Sequence, residues 1–247
     1  MRNGSSSRKK ISTRWSPKLA YAIGLLTADG CLSKDGRHID LTSKDREQIS
    51  LFRGCLGLNT KISSKFSGTG NRAYHTQFGN VRFYGFLKSL GLTPAKSKTL
   101  GELKIPDAYF VDFLRGYFDG DGSSYSYFDP QYENSYRFYI SFTSGSPRFI
   151  EWLQRSINAR LGINGYVSRN KNTPYLQLKF AKRESILLSE QMYRKRSTLC
   201  LERKYLKIQR SLRIIERRRS GEIGIHAAFR AQFPQGIGGS NPLFGTK

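Results

Sequence analysis

The chain has 247 residues, of which 42 are Lys or Arg and 18 are Asp or Glu, so its formal net charge is +24. With 14 Tyr and 16 Phe it can fill a sizeable core, which excludes a disordered basic tail; the charge calls for a polyanionic partner, nucleic acid first. Its three cysteines, Cys31, Cys55 and Cys200, lack metal-ligand spacing and read as reduced thiols in a reducing compartment.

Residues 1–14 form a basic, Ser-rich arm with no apolar run behind it, so no secretory signal is expected and the protein is read as not secreted. Ser16-Pro17 then gives an N-cap and a proline at the first helical position of an apolar segment that ends Thr27-Ala28-Asp29-Gly30. The run is far shorter than the roughly 18 residues of a membrane span. Downstream, Pro106-Asp107 opens a second such helix, which closes Asp119-Gly120-Asp121-Gly122. Gly24 and Ala28 in the first segment, and Gly116 and Gly120 in the second, lie one helical turn apart and make flat stripes along which two helices can approach closely. Gly30 and Gly122 are expected to turn left-handed after the last turn.

Each segment thus carries a carboxylate at the negative pole of its helix, unfavourable unless a cation is near. If the stripes pack together, Asp29 and Asp121 meet; a proton or a metal ion then relieves their repulsion, and an all-oxygen site with open positions suits Mg²⁺. A calcium loop beginning at Asp119 is excluded, because its twelfth position is Pro130 where a bidentate Glu is required.

Asp29 and Asp121 stand 92 residues apart, and the stretches C-terminal to them correspond. Ile39 to Ser43 matches Ile140 to Ser144, Leu56-Gly57-Leu58-Asn59 matches Leu161-Gly162-Ile163-Asn164, and Thr76-Gln77-Phe78 aligns with Leu178-Lys179-Phe180. Extra residues around Tyr127 to Ser135 lengthen a hairpin in the second copy. Tyr136 to Thr143 and Tyr175 to Phe180 alternate as half-buried strands, and residues 46–56, 82–90, 148–161 and 183–193 suit helices. The fold class is α+β: a pseudo-twofold repeat of αββαββα units with the two acid-tipped helices at the centre. The divisions are the arm 1–14, a first repeat 15–95, a linker 96–106, a second repeat 107–217 with a basic C-terminal helix, and a tail 218–247 that reads as disordered. In that last helix Leu201, Tyr205, Ile208, Leu212 and Ile215 recur at helical spacing, so it packs on the core with a solvated basic face.

The paired segments, their separation and the strands between them resemble the LAGLIDADG homing endonucleases, specifically the monomeric two-motif kind, over roughly residues 15–217. The resemblance implies site-specific double-strand DNA cleavage, saddle-shaped antiparallel sheets in the major groove, and two or three divalent ions per DNA complex, Mg²⁺ with Ca²⁺ or Mn²⁺ as substitutes in crystals. It makes Asp29 and Asp121 metal ligands, joined by the backbone carbonyls of Ala28 and Gly120. Thr27 replaces the first acid of the family pattern, which Asp119 retains. A lysine near each metal-bound water is matched by Lys182 in the second copy, where the first has Asn80, so the two strands are expected to be cut at different rates. Ser43 and Ser144 fall where the family has water-ordering polar residues, or cap the following helices. The outward strand positions that enter the groove, or stand simply solvated, are His38, Asp40, His75 and Gln77 in one copy and Arg137, Tyr139, Ser141, Gln177 and Lys179 in the other. Their difference predicts an asymmetric target. An intron RNA maturase, with host intron RNA as partner, and a non-cleaving DNA-binding regulator are the alternatives. Gly245-Thr246-Lys247 carries no splicing residue, so a free-standing, intron-encoded monomer is expected in a cytoplasm, nucleoid or organelle matrix, with no membrane partner.

Overall fold

The computed structural model describes residues 11–66, 70, 72–132, 134–169, 173–194 and 199–232, with side chains up to residue 218. It divides into two compact units, Met1–Ile208 and Gln209–Lys247. In the first unit, helix α1 (Pro17–Asp29) leads into strands β1 (Gly30–Leu32) and β2 (His38–Ser43), helix α2 (Arg46–Leu56), strands β3 (Ser63–Phe66) and β4 (Arg72–Gly79) and helix α3 (Val81–Ser89). The same order recurs with α4 (Phe110–Asp121), β5 (Gly122–Phe128), β6 (Tyr136–Ser144), α5 (Pro147–Leu161), β7 (Tyr166–Arg169), β8 (Leu176–Phe180) and α6 (Lys182–Met192). Helix α7 (Glu202–Gln232) starts in the first unit and continues through the described part of the second.

Both sheets are antiparallel, with strand orders β1-β2-β4-β3 and β5-β6-β8-β7. Their registers are equivalent: Gly30 pairs with Leu41 as Gly122 does with Phe142, and Asp40 pairs with Gln77 as Ser141 does with Lys179. The alternating apolar residues Ile39 and Leu41 of the first repeat, and Phe138, Ile140, Phe142, Leu178 and Phe180 of the second, are buried on one face. Strand β5 reaches Phe128 where β1 stops at Leu32, which is the longer hairpin expected of the second copy.

Helix α1 is buried continuously from Leu19 to Thr27, because α4 lies directly against it. A Cβ on Gly24 would come within 2.6 Å of Tyr117 N, and one on Gly116 within 2.9 Å of Tyr21 C. Backbone meets backbone there, so only glycine permits the approach.

Three local expectations are corrected. Pro106 does not open α4; it caps a 3₁₀ turn, Asp107–Tyr109, and the α-helix begins at Phe110. Gly30 and Gly122 are not left-handed but extended, at φ −82° and −85°. They are glycines because a side chain would strike the helix just left: a Cβ would stand 2.6 Å from Leu26 O at Gly30 and 2.6 Å from Phe118 O at Gly122. Helix α7 runs on to Gln232 instead of ending near residue 217, since Ala227, Ala228, Arg230, Ala231 and Gln232 are strong helix formers ahead of Pro234. Residues 1–10 of the arm and 233–247 of the tail lie outside the described residues.

Candidate functional site

Close packing of α1 on α4 brings their C-terminal ends together, and the carboxylates with them. A Cβ on Gly120 would lie 3.1 Å from Asp29 Oδ2. Two clefts flank the junction. One, of about 370 Å³, is lined by Asp29, Ser43, Gln48 and Arg203 together with Gly120 of the opposite motif. The other, of about 390 Å³, is lined by Asp121, Ser144, Lys96 and Tyr175 together with Thr27 and Ala28 of the opposite motif. Each acid therefore shares its cleft with the backbone at the end of the other helix.

Cationic side chains meet the negative helix poles. Lys204, at the start of α7, donates to the carbonyls of Phe118 at 2.7 Å, Gly120 at 3.0 Å and Gly122 at 2.7 Å, and Lys96 Nζ donates to the Ala28 carbonyl at 3.3 Å. Both ammonium groups are buried, which pushes the Lys204 pKa down to about 8 and lowers that of Lys96. Burial at the junction, then the Asp29 charge beside it, pushes the Asp121 carboxyl up to about 6. Asp29 is raised by burial too, against the opposing pull of Gln48, Lys204 and Lys96.

Gln48 Nε2 donates to Asp29 Oδ2 at 2.7 Å, and its Oε1 accepts the Ser43 hydroxyl at 3.0 Å. Ser43 Oγ also accepts from Asp45 N at 3.1 Å, and Ser144 Oγ accepts from Ser146 N at 3.1 Å, so both serines shape the turns before α2 and α5 while lining the clefts. Asn80 caps α3 by accepting from Phe83 N at 2.8 Å, and Lys182 is the first residue of α6. The lysines at the junction are Lys96 and Lys204, which sequence reasoning does not select. The helix-end aspartates call for nearby cations, but nothing local says which lysine arrives from so far along the chain. Gln48 escapes it as well; its signal is its place in the first turn of a helix that comes after Ser43-Lys44-Asp45.

Asp119, on the far side of α4 from Asp121, is 1% exposed. Its Oδ2 accepts from the Tyr21 hydroxyl at 2.6 Å and from Leu201 N at 2.7 Å, while Oδ1 has no partner among the described residues. It anchors α1 and the approach to α7. Thr27, its counterpart, turns its hydroxyl back to Ile23 O at 2.7 Å.

Among the outward strand positions, Asp40 accepts from the Thr42 hydroxyl at 2.8 Å and pairs with His75 at 3.1 Å. His38 pairs with Asp35, and Gln77 is exposed. In the second sheet Arg137 pairs with Asp129 at 2.9 Å, and Gln177 and Lys179 are half-buried. Ser141 is buried, its hydroxyl 2.8 Å from that of Ser123, because the two small residues sit directly opposite across β5 and β6. Tyr139 lies between Tyr125 and Tyr127, with ring centroids 4.9 and 6.3 Å away and planes within 17°.

An all-oxygen donor set is what a hard divalent cation takes, and no His or Cys lines either cleft. Among the described residues, no cluster of three or more His, Cys, Asp or Glu side chains occurs that could hold a metal. A cation here would meet Asp29 in one cleft, whose other carboxylates Asp45 and Asp119 are held by Arg203 and by Tyr21 and Leu201 N, and Asp121 in the other, beside the Gly120 and Ala28 carbonyls that accept from Lys204 and Lys96, with oxygen ligands from outside the protein completing its shell. Mg²⁺ fits that description. No described helix is long and apolar enough to cross a membrane.

Residues 110–199 match the sequence family described as the LAGLIDADG-like domain. No curated protein sequence matches the chain. Among solved structures, the fold is similar to the homing endonuclease I-WcaI bound to its DNA recognition sequence, at TM-score 0.57 and 14% identity over 83% of this chain and 94% of that one. It is similar to the LAGLIDADG homing endonuclease I-GzeII in complex with DNA target, at TM-score 0.57 and 11% identity over 91% and 99%. It is also similar to full-length DUF199/WhiA from Thermatoga maritima, at TM-score 0.52 and 17% identity over 90% and 70%. The chain therefore carries a LAGLIDADG-like domain over residues 110–199 and has, across both repeats, the fold of the LAGLIDADG homing endonucleases.

Proposed function

We propose that this protein is a metal-dependent, site-specific DNA endonuclease that acts as a monomer on a long asymmetric duplex target. The observation that carries the reading is the junction of α1 and α4, where Asp29 and Asp121 each face a cleft completed by the backbone of the other motif. Two strands need two reaction centres, and one chain with two such ends supplies both. Asp29 and Asp121, joined by the Ala28 and Gly120 carbonyls once Lys96 and Lys204 give them up, would hold Mg²⁺, which when bound would neutralise charge at the scissile phosphate and acidify water. The protein's own part is to bind the duplex, to place a phosphate over the clefts and to bring the two carboxylates together, with Lys96 and Lys204 opposing the upward push of burial on both. Lys96 and Lys204 join Lys182 and Asn80 as candidates to act beside the reacting phosphate, supported by their place at the two helix ends.

DNA binding without cleavage is the second reading. It is favoured by the same two lysines, which already neutralise both helix ends from within the protein. Incubation with a randomised duplex library in Mg²⁺, followed by sequencing of cut ends, separates the two. The endonuclease reading predicts a defined cut site. It also predicts that Asp29→Asn and Asp121→Asn each lose double-strand cutting by at least about 10²-fold while retaining binding to the selected duplex, since the metal's charge stabilisation is worth several kcal/mol. Double-strand cutting by either variant at the wild-type rate would remove these aspartates from the mechanism.

A further inference from the structure

The two clefts differ at one position that the repeat itself makes equivalent. Ser43 and Ser144 end equivalent strands, and the fifth residue after each is Gln48 in the first repeat and Phe149 in the second. Gln48 is 2% exposed and links Ser43 to Asp29 through two hydrogen bonds of 3.0 and 2.7 Å. Phe149 is fully buried and packs edge-on against Tyr117, with ring centroids 5.0 Å apart. The Asp29 carboxylate is thus gripped by a buried amide whose own oxygen is held in turn, whereas the equivalent position of the second repeat carries an aromatic ring packed on Tyr117 and Trp152, which has no donor to offer. We propose that Gln48 is a positioning residue that fixes the Asp29 carboxylate, so that the Asp29 cleft is the tighter of two unequal divalent-cation sites and the one whose strand is cut first.

A donor behind a ligating carboxylate restricts its rotation, and a carboxylate that is already oriented loses less freedom when it takes a cation. Satisfaction of both ends of the Gln48 amide in a buried setting makes that orientation rigid. Among the described residues no side chain donates a hydrogen bond to the Asp121 carboxylate, which meets Lys96 and Lys204 through charge alone. The resemblance placed the inequality of the two centres in Lys182 and Asn80; Gln48 and Phe149 add a second source of it. The strand-order part rests on the endonuclease reading, and the cation part stands without it.

The test is Gln48→Met, which keeps the length of the side chain and removes the donor. Mn²⁺ is titrated into wild type and variant in the presence of a duplex of arbitrary sequence, with free Mn²⁺ monitored by electron paramagnetic resonance. A tighter and a weaker class of site are expected in the wild type, with the tighter class weakened about tenfold or more in the variant and the weaker class unchanged. In an Asp29→Asn background the same substitution should have no further effect. On a cleavable duplex labelled on each strand, the variant should slow one nick about tenfold and leave the other within about twofold. Equal slowing of both strands, or an unaltered Mn²⁺ titration in a variant that melts like wild type, would overturn the proposal. A wild-type protein that cuts neither strand would remove the endonuclease reading, and the Mn²⁺ titration would still decide the role of Gln48. Gln48→Leu replaces the methionine variant if the latter does not fold.

Discussion

Asp119 and Asp121 are two residues apart and play opposite parts. Asp121 reaches solvent in a cleft, whereas Asp119 is buried against Tyr21 and Leu201. Burial pushes the Asp119 carboxyl from an unfolded value near 3.8 up to about 6, so its protonated form is favoured in the folded protein. Its contribution to stability is therefore fully present below about pH 4 and is lost as pH rises through about 6. Asp119→Asn cannot ionise and should lose that dependence. Unfolding free energies of the two proteins, compared between pH 4 and pH 7, should shift against the wild type by up to about 3 kcal/mol. A difference that stays constant over that range would show that folding does not raise the Asp119 carboxyl. Sequence alone made Asp29 and Asp121 legible, because a carboxylate at a helix C-terminus is anomalous. It did not separate Asp119 from its neighbour, since both occupy one Asp-Gly-Asp run and only the packing of α1 and the start of α7 distinguishes them. Lys96, Lys204 and Gln48 were hidden for a related reason: each acts through a long-range contact that leaves no local pattern.

At the scale of elements, periodicity located most of the structure. The expected helix at 46–56 coincides with α2, and those at 82–90, 148–161 and 183–193 fall within one residue of α3, α5 and α6. What it could not give was the reason for particular glycines. Gly24, Gly30, Gly116 and Gly122 carry no positive φ; they are required by the closeness of neighbouring backbone or helix. Gly116→Ala drives a methyl group into the Tyr21 backbone, and main chain cannot move aside as a flexible side chain can. Overpacking of this kind should destabilise by about 3 kcal/mol, at the upper end of the usual range, and should part the two carboxylates. Gly85→Ala is the internal control. That position is exposed within α3, with nothing within 4 Å of an added Cβ, so the substitution should stabilise by about 0.5–1 kcal/mol through helix propensity alone. Denaturant midpoints at constant m-value report both. Equal effects of the two would mean that α1 and α4 do not meet along the glycine stripe.

For the molecule as a whole, an excess of 24 positive charges and two unlike strand faces would make separable contributions to the DNA binding proposed above. Charge acts on phosphates irrespective of sequence, and every phosphate contact releases a counterion. With roughly 6–10 such contacts, affinity should fall about 10³–10⁵-fold between 50 and 200 mM salt. The outward strand faces differ in kind: Asp40, tied to Thr42 and His75, marks one sheet, and the stack of Tyr125, Tyr139 and Tyr127 marks the other. Tyr139 is covered on both faces, so its edge and hydroxyl are left to meet base edges, while Tyr125 and Tyr127 keep exposed outer faces. Tyr139→Ala should therefore relax base preference within one half of the target by about 1–3 kcal/mol per affected pair, while the slope of log affinity against log salt stays at its wild-type value. Lys179→Ala should do the reverse if its ammonium meets a phosphate, lowering the slope by about one and leaving base preference intact. The two variants, measured by salt titration and by selection on a half-randomised duplex, form a crossed pair. A Tyr139 variant that alters the salt slope without altering the selected sequence would place the tyrosine stack on the backbone rather than in the groove, and the asymmetry of the target would then have to come from the other sheet.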